Sequence, residues 1–217
     1  MNTDASYIDL DAKLNRTVGK VHNIIITGAR EMGKTTLVKN IANKLIQLHN
    51  IEDKNVLIMA NQNNYLDFPN ATRVFENNVK LLTLKDPDNK PLLIIIDDFI
   101  IMDFKLIDQN KLLKAIVLNS RHKNIYVIFS KTDSLGYNPI IRNQFDLVFS
   151  LFGCVHVKRY EYRNFFEFFK NFDAFNDYIK NMPQYTSFVL DSYLLDCKNK
   201  NKNTNTNDND IYGYYKA

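Results

Sequence analysis

A chain of 217 residues, 45% hydrophobic and 24% charged, has enough apolar content to bury the core of one α/β domain with a short appendage. A formal net charge of +4 permits contact with nucleic acid without requiring it. Two isolated cysteines, Cys154 and Cys197, and four scattered histidines exclude a disulfide framework and zinc-ligand spacing, and fit a reducing compartment.

The opening residues, "MNTDASYIDL", are polar and do not read as a signal peptide. No apolar run in the chain reaches the roughly 18 residues of a membrane span. Residues 21–28, "VHNIIITG", are a short β-branched run ending in glycine and predict a buried strand. Residues 34–50 place Leu37, Ile41, Leu45 and Leu48 on one stripe, which predicts a helix. A second strand is expected at 55–61, and a turn-rich stretch follows at 64–78 with a short strand at Arg73–Glu76. "PLLIIIDDF" (91–99) carries the strongest strand signal, and 103–124 predicts an amphipathic helix. Strands at 125–131 and 146–152 flank a short helix at 138–145. An aromatic-rich helical stretch covers 159–180, and "TSFVLDSYLL" (186–195) predicts a last strand or hairpin. From Lys198 the Asn- and Lys-rich composition predicts a disordered tail. Strands alternating with helices predict an α/β fold of three layers around a mostly parallel central sheet.

Residues 28–36 read "GAREMGKTT", although the whole chain has only six glycines. Gly28, Gly33, Lys34 and Thr35 satisfy G-x-x-x-x-G-K-[ST], a pattern that average composition produces in about one chain in a hundred of this length. The match begins where a strand ends and finishes where a helix begins, as a phosphate-cradling loop requires. Successive amides of Gly28, Ala29, Arg30, Glu31, Met32, Gly33, Lys34, Thr35 and Thr36 would nest an anion at the positive end of the helix. Lys34 would reach the outer phosphates, and the Thr35 hydroxyl is a hard ligand suited to Mg2+.

A nucleotide loop needs a carboxylate on the metal side. Asp97 and Asp98 follow five apolar residues at the carboxyl edge of the predicted sheet, where open α/β folds bind ligands. Asp97 is the expected metal-side acid, and Asp98 the candidate for activating water against a γ-phosphate. Lys131 ends the fourth predicted strand beside Ser130 and Thr132, where it is either a γ-phosphate sensor or an ordinary strand-end lysine. Arg142 lies in a short apolar helix, which suits an arginine finger toward a neighbouring subunit or an ion pair with Asp146 or Asp133.

"IIITGAREMGKTT", "LLIIIDDF", "NSRHKNIYVIFSKTDSLGYNPIIRNQFD" and "SFVLDS" together resemble, in order and spacing, the poxvirus and giant-virus type of genome-packaging ATPase. That group is similar to the FtsK–HerA pumps, and the resemblance runs over about residues 20–196. It implies a RecA-like P-loop fold of the ASCE type, ATP and Mg2+ as cofactors, and a homo-oligomeric ring. It also implies translocation of double-stranded DNA, without sequence preference, into a capsid through contacts with capsid or portal-vertex proteins. The expected setting is the cytoplasm of an infected host cell, in a viral factory, or the virion. Arg121 and His122 match a pair that ends the helix before the fourth strand, and Arg142 matches an arginine that follows a proline, here Pro139. Lys131 departs from the pattern, which has a glutamine there; a lysine donates to phosphate but cannot accept a bond from water.

For grip on DNA, the candidates are Lys158, Arg159 and Arg163, whereas "FFEFFKNF" fits a packing face better. The expected organisation is an N-terminal extension (1–20), a P-loop ATPase domain (21–197) and a polar tail (198–217). Two other functions stay open at this level: a nucleotide-gated adaptor with negligible hydrolysis, and a nucleoside or nucleotide kinase. The seven arginines are widely dispersed, unlike an arginine-rich kinase lid.

Overall fold

β1, Asn23–Thr27, is buried at all five positions, as a strand covered on both faces must be. In the computed structural model, which describes residues 7–60, 64–73, 90–98, 106–132, 139–200 and 208–217, it lies near the middle of an eight-stranded sheet. The other strands are β2 (Val56–Ala60), β3 (Thr72–Arg73), β4 (Leu92–Asp97), β5 (Ile125–Lys131), β6 (Leu147–Ser150), β7 (Thr186–Asp191) and β8 (Tyr212–Lys216). Their order is β3-β2-β4-β5-β1-β6-β7-β8. From β3 to β6 every pairing is parallel, and β7 and β8 add antiparallel to that edge. This is the expected α/β P-loop architecture. β5 is inserted between the strand that leads into the phosphate loop and the strand that carries the acids.

Helices cover both faces. Ile24 and Ile26 turn to the side of α2 (Lys34–His49), where they meet Leu37, Val38, Ile41 and Leu45. Ile8, Leu10 and Leu14 join the same cluster, the last two from α1 (Leu10–Leu14). Ile25 turns to the opposite face, with Val117 of α3 (Leu106–Asn119) and Ile141 of α4 (Pro139–Arg142). That face also holds an aromatic cluster, in which Phe166 stacks on Phe175 at 4.7 Å between centroids and both surround Phe188. The "FFEFFKNF" stretch is therefore a packing face.

Several boundaries differ from expectation, each for a local reason. The helical stretch at 159–180 is two pieces. α5 (Val155–Glu161) runs into a π-helical turn, Tyr162–Phe166, and α6 (Phe172–Lys180) restarts after a bend. Asn171 caps α6 by accepting from the Ala174 amide at 2.9 Å, a use of asparagine that favours helix starts over interiors. "TSFVLDSYLL" leaves the sheet at Asp191, whose carboxylate accepts from the Leu194 amide and starts α7 (Ser192–Lys200). The short strand expected at Arg73–Glu76 is Thr72–Arg73, and 74–76 lie outside the described residues. The helix expected at 138–145 is the single turn α4.

The expected disordered tail is corrected most strongly. α7 continues to Lys200, α8 (Asp208–Ile211) follows, and β8 pairs with β7 along its length. Ile211, Tyr214 and Tyr215 are buried, so "DIYGYYK" supplies apolar surface that the adjoining Asn/Lys run dilutes in any composition average. The N-terminal residues are tied to the same edge, since the Ile8 amide donates to the Tyr214 carbonyl at 2.8 Å and Arg16 pairs with buried Asp191.

Two histidines make stability depend on pH. His49 and His22 both stack on Tyr126, at 4.3 and 5.1 Å, and burial holds each below the ordinary histidine pKa. The unfolded chain protonates these rings below about pH 6.5 while the folded chain resists, so stability present above that pH is lost as pH falls. The thermal midpoint should fall from pH 7.5 to 5.5, a window above the ordinary carboxylate range. His49→Phe, which keeps the ring stack, should flatten the fall; an unchanged pH slope in that variant would contradict the assignment.

Candidate active site

The parallel register gathers five strand ends at one edge. Thr27 of β1 stands beside Lys131 of β5 and Ser150 of β6, while Asp97 of β4 stands beside Ser130 of β5 and Ala60 of β2. The chain leaves β1 at this edge and enters α2 through residues 28–33, so the loop lies over the ends of its neighbours.

Its two glycines serve different ends. A Cβ on Gly28 would meet the Leu151 Cβ at 2.8 Å, so glycine here allows close packing against the chain leaving β6. Gly33 has φ +85 and no atom within 4 Å of an added Cβ, so its requirement is conformational: a left-handed residue that turns the loop into α2. Glu31 is also left-handed, at φ 64. Arg30, Glu31, Met32 and Gly33 are exposed on the loop and Thr36 on the first turn of α2, while Lys34 is 6% exposed beneath the loop. Its ammonium donates to the Ala29 carbonyl at 3.0 Å and pairs with Asp98 at 3.2 Å.

Thr35 and Asp97, the two residues expected on the side of a metal, are brought into contact. Thr35 Oγ1 donates to Asp97 Oδ2 at 2.8 Å, joining the first turn of α2 to the end of β4. The Tyr65 hydroxyl donates to the same oxygen at 2.8 Å. Burial, then the neighbouring Asp97 charge, pushes the Tyr65 pKa far above its ordinary value, so it stays a donor at every relevant pH. Asp97 Oδ1 is buried and has no hydrogen-bond partner. This orphaned hard oxygen, with the lone pairs on Thr35 Oγ1, fits Mg2+ completed by nucleotide and water oxygens. Among the described residues no cluster of three or more His, Cys, Asp or Glu side chains could hold a metal alone.

Asp98 is aimed differently from Asp97. Its φ of 44 turns the chain out of the strand, and its amide donates to the Ser130 carbonyl at 3.0 Å. Asp98 Oδ1 accepts from the Thr132 amide at 2.7 Å, the Thr132 hydroxyl reaches both carboxylate oxygens at 3.0 and 2.9 Å, and Lys34 lies on Oδ2. Lys131 is next to this group, across from Thr27.

Arg142 is not among these residues. Its Nη1 donates to Asn164 Oδ1 on the π-helical turn, on the sheet face opposite α2, and its buried Nε has no partner. The alternative ion pair with Asp146 does not form, because Asp146 accepts from the His22 and Asn23 amides at 2.9 Å and pairs with Arg121. Asp133 lies outside the described residues.

Lys158, one of the candidates for grip on DNA, is corrected: it is 1% exposed. Its ammonium binds Glu161 at 2.6 Å, the Ser150 hydroxyl at 2.8 Å and the Leu151 carbonyl. Gly153 gives it room, since a Cβ there would meet Lys158 Cε at 3.2 Å and the Ala29 nitrogen at 3.7 Å. The buried pair thus sits behind the start of the phosphate loop, whose Ala29 amide donates to the Phe152 carbonyl at 3.1 Å. Arg159, over the Phe172 ring at 4.9 Å, and Arg163 are exposed.

Tyr65, Thr132 and the Lys158–Glu161 pair went unassigned from sequence. Tyr65 lies in a turn-rich stretch without periodicity, and a Lys–Glu spacing of three reads as a solvated helix pair. Removing one member should strand a buried charge. Lys158→Met should cost about 3–5 kcal/mol in denaturant unfolding, and Lys158→Met with Glu161→Leu should recover most of it. Equal loss in single and double variants would contradict a charge-based role.

A family model described as AAA domain matches residues 20–138. No curated protein sequence matches the chain. Among solved structures, the genome packaging NTPase B204 from Sulfolobus turreted icosahedral virus 2, in complex with AMPPCP, is similar with a TM-score of 0.59 at 17% identity, covering 80% of this chain and 94% of that one. B204 described as the DNA-packaging ATPase from Sulfolobus turreted icosahedral virus gives a TM-score of 0.57 at 17% identity, covering 80% and 93%. The cytoplasmic domain of the type VII secretion ATPase EccC from Thermomonospora curvata gives 0.51 at 12% identity, covering 86% of this chain and 23% of that one. At such identities the likeness is one of fold.

Proposed function

The chain belongs to the AAA domain family of P-loop ATPases, and from that premise we propose that it is the ATP-hydrolysing motor of a viral genome-packaging apparatus. It works as a homo-oligomeric ring that moves double-stranded DNA into a capsid, held there by capsid or portal-vertex proteins. The setting is the host-cell cytoplasm, at a viral factory, and the virion. One observation carries the reading: Thr35 and Asp97 join the phosphate loop to the acidic strand, in a fold similar to that of B204, described as a genome packaging NTPase. The resemblance of its motifs to poxvirus, giant-virus and FtsK–HerA proteins supports the same assignment over the broader family.

The residues divide the chemistry among themselves. The loop amides of 28–36 receive the β- and γ-phosphates of ATP at the positive end of α2, and Lys34 exchanges its contacts with Ala29 and Asp98 for phosphate oxygen. Mg2+, held by Thr35 and the Asp97 side, would neutralise charge developing on the phosphates. Asp98, oriented by Thr132, accepts a hydrogen bond from the attacking water as Lys34 moves toward phosphate. Lys131 donates to the γ-phosphate from the neighbouring strand. Arg142 reaches the site of the next subunit, so a lone subunit hydrolyses ATP poorly. Among the described residues no helix is long and apolar enough to cross a membrane.

The test is steady-state ATP hydrolysis with and without long duplex DNA. DNA should stimulate the native protein, and raising salt should weaken that stimulation steeply, whatever the DNA sequence. Arg142→Ala should keep nucleotide binding and lose turnover by about a thousandfold. Mixing Arg142→Ala with Asp98→Asn should restore part of it. Full activity in Arg142→Ala would remove the finger, and nucleotide binding without turnover in the assembled, DNA-supplied native protein would favour an adaptor.

A further inference from the structure

Tyr65 stands apart from the other parts of this site, because it comes from the segment between β2 and β3, outside both the phosphate loop and the acidic strand. Its side chain is 1% exposed, and its hydroxyl ends on Asp97 Oδ2 at 2.8 Å. Oδ2 therefore receives two hydroxyl donors, one from Thr35 and one from Tyr65, while Oδ1 receives none. Two convergent donors on one oxygen fix the plane of a carboxylate that would otherwise rotate about its terminal torsion.

The tyrosine is itself held. Arg73 Nη2 donates to the Tyr65 carbonyl, Lys39 of α2 lies 5.7 Å over the ring, and the Phe68 ring packs at 6.1 Å. Lys39 also pairs with Asp67 at 2.8 Å, so the 64–68 turn is fastened to α2. The hydroxyl thus reaches Asp97 from a braced position.

We propose that Tyr65 is a positioning residue for the divalent cation: its hydroxyl engages one oxygen of Asp97 so that the other is presented to Mg2+ or to a water bound to it. The inference rests on the assignment of Asp97 as the acid facing Mg2+. Tyr65 makes no contact with nucleotide in this account and acts through the carboxylate. Its removal should therefore change how nucleotide binding depends on the cation, while binding without the cation stays as it was.

The experiment compares native protein and Tyr65→Phe by fluorescence titration of an N-methylanthraniloyl ATP analogue, first in EDTA and then over a range of Mg2+ concentrations. Native protein should bind more tightly as Mg2+ rises. Tyr65→Phe should match it in EDTA but need about tenfold more Mg2+ for the same gain, the scale of losing one hydrogen bond to a charged group. In an Asp97→Asn background, Tyr65→Phe should add nothing. An identical Mg2+ midpoint in native and Tyr65→Phe protein overturns the positioning role and leaves Asp97 untouched. A native protein whose binding ignores Mg2+ overturns the Asp97 assignment, and this inference with it. Thermal unfolding checks that Tyr65→Phe is folded. Should it unfold, Arg73→Met, which removes the donor to the Tyr65 carbonyl but keeps the hydroxyl, must raise the Mg2+ midpoint for the role to stand.

Discussion

The hydrogen bond from Thr35 to Asp97 joins two segments that lie 62 residues apart in the chain. One is the first turn of a helix, the other the last residue of a strand, and neither alone binds a triphosphate with its metal. The sheet order brings them together. β4 and β1 are separated by β5, whose width sets the gap across which Thr35 reaches. The proposed chemistry depends on that gap, since Mg2+ placed between the phosphates and the acid would have to contact both sides at once.

Behind the loop, the structure invests polar groups where an apolar core would be simpler. Lys158, Glu161 and Ser150 form a buried cluster bonded to the Leu151 carbonyl, and residues 151–153 run against Gly28 and Ala29. A buried ion pair is seldom the most stable filling for its volume. What it adds is direction, because each bond has one acceptable geometry. The start of the phosphate loop is thereby referenced to α5, and α5 continues into the π-helical turn that binds Arg142 through Asn164. A physical chain of contacts therefore links the start of the loop to Arg142 within this chain.

Much of this was legible in the sequence because the relevant physics is local. Gly33 and Lys34 announce a loop that turns into a helix, and "LLIIID" announces a doubly covered strand ending in a charge. Both appear as read, with Asp97 at the end of β4. What stayed hidden depends on contacts between distant segments. Tyr65 lies in a stretch with no period, and only the fold carries it to Asp97. Lys158 has the spacing of a solvated helix pair, yet the turn after β6 directs it inward. Tyr214 and Tyr215 were lost in a polar composition average, although their strand closes the sheet edge beside β7. The helix interruption at 167–171 and the change from strand to helix at Asp191 turned on capping side chains, which periodicity does not report.

The most direct measurement is a crystal structure of the protein with a non-hydrolysable ATP analogue and Mn2+ in place of Mg2+, read by anomalous scattering at the manganese edge. The account predicts the triphosphate on the amides of residues 28–36, with the manganese peak beside Thr35 Oγ1 and on the Oδ1 side of Asp97. A triphosphate bound elsewhere, or a manganese peak away from both Thr35 and Asp97, would contradict it.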